Sequence, residues 1–117
     1  MKCNKMKALA EFLGVEEEEI KQSTYNENLF EYRNQEYLVC TVEGFKIFDT
    51  LQKAHNKKKR ILCFTEHKIT GNLYCVASTK FYENSSCICI HTSIYEDDIF
   101  YIIEDNEKNK EIIQKII

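Results

Sequence analysis

The chain has 117 residues, enough for one core and too few for two, so a single domain over residues 1–117 is expected. It is 44% hydrophobic and 30% charged, which excludes a disordered polymer, and its net charge of −3 gives no overall pull toward phosphate backbones or anionic membranes. No apolar run is long enough to span a bilayer, and the basic start at residues 1–7 leads only into a short apolar stretch broken by Glu11, so a cytoplasmic protein is expected.

In chain order, Ala8, Leu9, Phe12 and Leu13 predict a short amphipathic helix stopped by Gly14. Glu16, Glu17, Glu18 and Glu19 then predict the first turn of a second helix, where the helix dipole favours negative charge. Residues 29–32 and 37–40 flank Arg33, Asn34, Gln35 and Glu36 and read as a β-hairpin. Tyr37, Leu38, Val39 and Cys40 form an almost wholly apolar run, as a strand covered on both faces would. With Thr41 as N-cap, the period then changes: Val42, Phe45, Phe48 and Leu51 recur at helical spacing and predict a central helix. The basic run Lys57, Lys58, Lys59, Arg60 suits the end of that helix.

The second half is β-rich. Strands are expected at residues 61–65, 73–82 and 87–92 and at about 99–103, with a turn at Gly71 and Asn72. Ile112, Ile113, Ile116 and Ile117 share one face of a closing helix. The expected fold is α+β: short N-terminal helices, a β-hairpin and central helix, then an antiparallel meander of about four strands, packed on one side by helices and closed by a C-terminal helix.

No glycine-rich phosphate loop, His-Glu-x-x-His pair or Gly-x-Ser-x-Gly elbow is present, so no enzyme is expected. The most specific chemical pattern is Cys87-Ile88-Cys89-Ile90-His91. Strand alternation puts Cys87, Cys89 and His91 on one face, where a tetrahedral zinc site could begin, with Cys75 or Cys63 as the fourth ligand. Residues i and i+2 on a flat strand lie about 6–7 Å apart, too far for one tetrahedral ion. The thiols are therefore expected as small hydrophobic fillers, and no cofactor is expected. A cysteine nucleophile paired with His55, His67 or His91 is the corresponding enzymatic alternative.

The other asymmetry is acidic. Glu96, Asp97, Asp98, Glu104, Asp105 and Glu107 occur with no lysine or arginine among residues 96–107. Glu16, Glu17, Glu18, Glu19, Asp97 and Asp98 are the candidate partner-binding residues, as negative patches that could meet a basic protein groove.

Two resemblances bear on function. Residues 9–15, Leu-Ala-Glu-Phe-Leu-Gly-Val, resemble the first helix and turn of helix-turn-helix DNA binders, but a recognition helix opening on four glutamates would repel phosphates. Residues 25–43, from Tyr25 through Glu36-Tyr37-Leu38-Val39-Cys40-Thr41, resemble a module of small phage- and plasmid-borne proteins of low-GC bacteria. Some of those proteins accompany anti-CRISPR genes or inhibit host defence. The resemblance covers about residues 9–52 and departs from the module at Val42 and Gly44. It implies a mobile-element protein that acts by protein binding, as an inhibitor of a nucleic-acid-targeting defence enzyme such as a CRISPR effector. Neither membrane attachment nor direct nucleic-acid binding is expected. A small DNA-binding regulator and a zinc- or thiol-dependent protein are the alternatives.

Overall fold

The computed structural model describes residues 4–82 and 85–104. Helix α1 (Asn4–Leu13) ends where Gly14 adopts φ 72° and donates its N–H to the Ala10 carbonyl at 2.8 Å. The Val15 N–H reaches the same carbonyl at 3.0 Å, which turns the chain out of the helix. The expected second helix does not form. Glu17–Glu19 make one 3-10 turn, Ile20 is buried, and the chain passes directly into strand β1 (Lys21–Gln22). With no second helix behind the turn, the helix-turn-helix likeness stops at Val15.

Strand β2 (Leu29–Tyr32) and strand β3 (Gln35–Glu43) form the expected hairpin. Arg33 and Asn34 turn it with φ of 50° and 66°, the two positive values that a tight two-residue turn requires. Strand β3 outlasts its expected end. Thr41 pairs with Tyr101 and Val42 with Phe100, so Thr41 is a strand residue and caps nothing. A 3-10 turn at Gly44–Lys46 then leads into α2 (Ile47–Asn56).

Strands β4 (Ile61–Glu66), β5 (Leu73–Tyr82), β6 (Ser85–Ile90) and β7 (Ile99–Glu104) complete the regular structure of the described residues. They do not form a separate four-stranded meander. The seven strands among the described residues belong to one antiparallel sheet in the order β1-β2-β3-β7-β4-β5-β6. The cause is β7, which inserts between β3 and β4 and so joins the hairpin to the later strands. Its partners are remote in sequence, Val39 with Ile103 and Cys63 with Ile102, and no local pattern announces them. The expected C-terminal helix lies outside the described residues.

Nor are the helices on one side. Ala8 and Leu9 of α1 pack with Tyr37, Val39, Phe64 and Ile103 on one face. On the other, Ile47, Leu51 and Ala54 of α2 pack with Val42, Ile61, Phe100 and Ile102. Alternate residues of β7 thus serve two cores, which is why Phe100, Ile102 and Ile103 are all fully buried. Beside β4, β5 carries a bulge. Cys63 pairs with Ala77 and Phe64 with Cys75, leaving Val76 as the extra residue.

Candidate functional site

The segment from β6 back to β7 crosses one end of the sheet. Ile94 packs against the α2-side core, and the chain is then pinned at the start of α2: the Gly44 N–H donates to the Asp98 carbonyl at 2.7 Å. The Asp98 N–H in turn donates to the Tyr95 carbonyl at 3.2 Å. This turn places Asp97 outward on the surface. The Asp98 carboxylate is drawn in, with the Lys68 ammonium 3.7 Å away. Together with Glu66, His67 and Tyr101 these residues line a shallow cleft of about 290 Å³. The His67 ring belongs to its own turn, Nδ1 accepting from the Ile69 and Thr70 N–H groups at 3.2 and 3.4 Å.

The second acidic segment lines a separate depression. Glu16 and Glu17 line a cleft of about 340 Å³ with Lys7 and Glu11. Partial burial raises the Glu11 carboxyl above its ordinary range, with Lys7 opposing. Lys7 Nζ also donates at 2.9 Å to the carbonyl of Gly71, which lines the Asp97–Asp98 cleft. The acidic runs at residues 16–19 and 96–98 thus line two separate clefts. The glutamates are not equally available. A Glu19 carboxylate oxygen accepts the Glu16 N–H at 3.0 Å and holds the 3-10 turn, Glu17 is half-buried, and Glu16 and Glu18 face solvent.

Beside Asp98 stand aromatic groups that the helical reading had placed in the core. The buried face of α2 is Ile47, Thr50, Leu51 and Ala54, whereas Phe45 and Phe48 are each 58% exposed. Phe45 follows Gly44, whose backbone meets the Tyr95 carbonyl, and the Tyr95 ring is exposed as well. Lysine ammoniums lie over two of these rings, Lys46 over Phe45 at 5.4 Å and Lys68 over Tyr95 at 5.9 Å. The signal that could have found them is the clash between periods. Val42 fits both a strand and a helix, and taking it as helical rotated the whole face of α2.

The basic run stands at the far end of α2. Lys57, Lys58 and Arg60 are exposed, and Lys58 takes φ 56° in the turn to β4. The Lys59 carbonyl accepts from the Thr79 hydroxyl at 2.7 Å, which fixes that turn to β5.

The cysteines divide by environment. Cys63 is fully buried, and burial drives its thiol far above the usual range. Cys40 is pushed up to about 11, again by burial. Cys87 and Cys89, half-buried on β6, bring their sulfurs to 3.6 Å, and this hydrogen-bonded contact raises the Cys87 thiol. His91 Nε2 lies 3.3 Å from the Ser78 hydroxyl, and His55 Nδ1 lies 3.1 Å from that of Ser86. Among the described residues no group of three or more His, Cys, Asp or Glu side chains is arranged to hold a metal ion, and no helix is long and apolar enough to cross a membrane.

No protein-family model, curated protein or solved structure matches this chain.

Proposed function

We propose that the protein acts by binding another protein through its acidic segments, anchored at the end of the sheet that carries Asp97 and Asp98. The partner class is a nucleic-acid-targeting defence enzyme, such as a CRISPR effector, which it inhibits in the cytoplasm. The observation that carries this reading is the cleft where exposed Asp97 stands with Asp98, next to exposed Phe45 and Tyr95, while Glu16 and Glu17 line a second acidic cleft.

A nucleic-acid channel is lined by lysine and arginine that neutralise phosphates. Carboxylates on a rigid scaffold offer those cations the same sign of charge and steer encounter. Affinity needs more than charge, and exposed aromatic rings at the centre of an interface are the usual anchors. Asp97, Glu16 and Glu18 would supply the steering, and Phe45 and Tyr95 the anchoring. The resemblance of the first half to mobile-element modules supports the choice of a defence enzyme over other basic proteins.

The test measures association of the full chain with a purified RNA-guided nuclease, and inhibition of its DNA cleavage, across a range of salt. Glu17→Lys/Glu18→Lys and Asp97→Lys should each slow association by roughly tenfold at low salt, with little change in melting temperature. Phe45→Ala should instead speed dissociation and weaken binding by roughly 30-fold, about 2 kcal/mol. If the charge variants inhibit as well as the parent at every salt concentration, the acidic clefts are only solvated surface. If the parent binds none of the nucleases offered, the partner class is wrong.

A further inference from the structure

The strand bearing Cys87 and Cys89 lies at an edge of the sheet, away from the acidic clefts, and nothing in the proposed interaction uses it. We propose that Cys87 and Cys89 form a two-thiol chelate for a thiophilic divalent cation of the zinc group, with His91 turning from Ser78 to supply a third donor.

The sulfur spacing selects this chemistry. Two bonds of about 2.3 Å meeting at a tetrahedral angle hold their sulfurs about 3.7 Å apart. The Cys87 and Cys89 sulfurs stand at 3.6 Å, although strand geometry separates the corresponding Cα atoms by about 6.7 Å. The side chains lean together where the backbone does not, which removes the distance objection drawn from the sequence. A disulfide would require the sulfurs to close to about 2.05 Å with the Cα atoms at the upper limit for such a bond, so the edge strand would have to pucker. Chelation asks for no backbone movement.

The imidazole is on the correct face. Ser78 is the cross-strand partner of Cys89, and directly opposed residues project to the same side of a sheet. His91 Nε2 touches that Ser78 hydroxyl, so the ring lies on the thiol face. Its backbone is anchored by the bulge, the His91 N–H donating to the Val76 carbonyl at 2.8 Å. Other thiols are less suited. Cys63 is sealed in the core, and Cys75 Sγ donates to the Ala77 carbonyl at 3.4 Å. Binding is a simple exchange without redox change: two S–H protons leave to solvent as two sulfur–metal bonds form, and water fills the open position.

The experiment titrates the reduced, chelator-treated full chain with cadmium ion, reading thiolate-to-cadmium charge-transfer absorption and calorimetric stoichiometry, with zinc as competitor. Cys3 is replaced by Ser throughout. The expected result is one ion per chain with release of two protons, displaced by zinc. Cys87→Ser and Cys89→Ser should each weaken binding by roughly 100-fold, and His91→Ala by roughly tenfold. Cys40→Ser and Cys75→Ser should leave it unchanged. No charge-transfer band at an equimolar ratio would overturn the proposal, as would a band that persists in the Cys87→Ala/Cys89→Ala variant. A His91→Ala variant binding as tightly as the parent would remove His91 from the site.

Discussion

At the scale of single residues, Gly44 does the most with the least. Its φ is not in the left-handed region, so conformational freedom is not the reason for glycine here. A Cβ at this position would stand 1.9 Å from the Tyr95 carbonyl oxygen, which is backbone and cannot rotate away. Gly44→Ala must therefore displace the segment carrying Tyr95, Asp97 and Asp98. A loss of about 1–3 kcal/mol in urea unfolding is expected, and an unchanged midpoint would mean that this crossing is not seated against α2. Thr79 is a second single-residue joint. Its buried hydroxyl accepts the Ile61 N–H at 2.9 Å while donating to the Lys59 carbonyl, so one side chain satisfies two backbone groups at the start of β4.

At the scale of elements, the β2–β3 turn holds residues that its geometry does not favour. Arg33 takes φ 50°, which costs an L-residue other than glycine or asparagine about 1 kcal/mol. The Arg33 guanidinium lies 5.3 Å from the Tyr32 ring centroid, a partial offset of about 0.5 kcal/mol. Arg33→Asn/Asn34→Gly, the favoured pair for such a turn, should raise stability by about 0.5–1 kcal/mol, read as a higher denaturation midpoint at unchanged slope. A lower midpoint would mean that the Arg33–Tyr32 contact outweighs the backbone strain. The hairpin was legible because both apolar runs and the turn lie within a dozen residues. So were Gly14 as a helix stop and the strands expected at residues 61–65 and 73–82, all written in local composition. The rest depended on contacts between distant segments. Four consecutive glutamates read as a helix start until Ile20 is seen to be buried and Lys21 to pair with Glu31. The exposed face of α2 was hidden by Val42, a residue consistent with two periods. The placing of exposed Phe45 and Tyr95 beside Asp98 rests on one backbone bond from Gly44, and the closeness of two sulfurs on side-chain rotation. Neither leaves a trace in spacing.

For the whole molecule, the governing fact is that β7, last of the described strands in the chain, lies at the middle of the sheet. Ile102→Pro removes an N–H donor and a fully buried side chain between β3 and β4, and should lower stability by more than about 3 kcal/mol or abolish cooperative unfolding. Lys21→Pro, on the exposed edge strand β1, should have a much smaller effect. Similar losses in the two variants, measured by urea unfolding, would contradict the strand order. The same placement bears on how the protein is made. On the ribosome, β3 and β4 emerge before the strand that must lie between them, each with an apolar edge whose hydrogen-bonding groups await a partner. Roughly 40 residues separate the end of β4 from the end of β7, so at ordinary translation rates that gap stays open for about 2–8 s. During that interval the nascent chain presents two unsealed strand edges to its surroundings, a window for chaperone capture that closes only when β7 slots in.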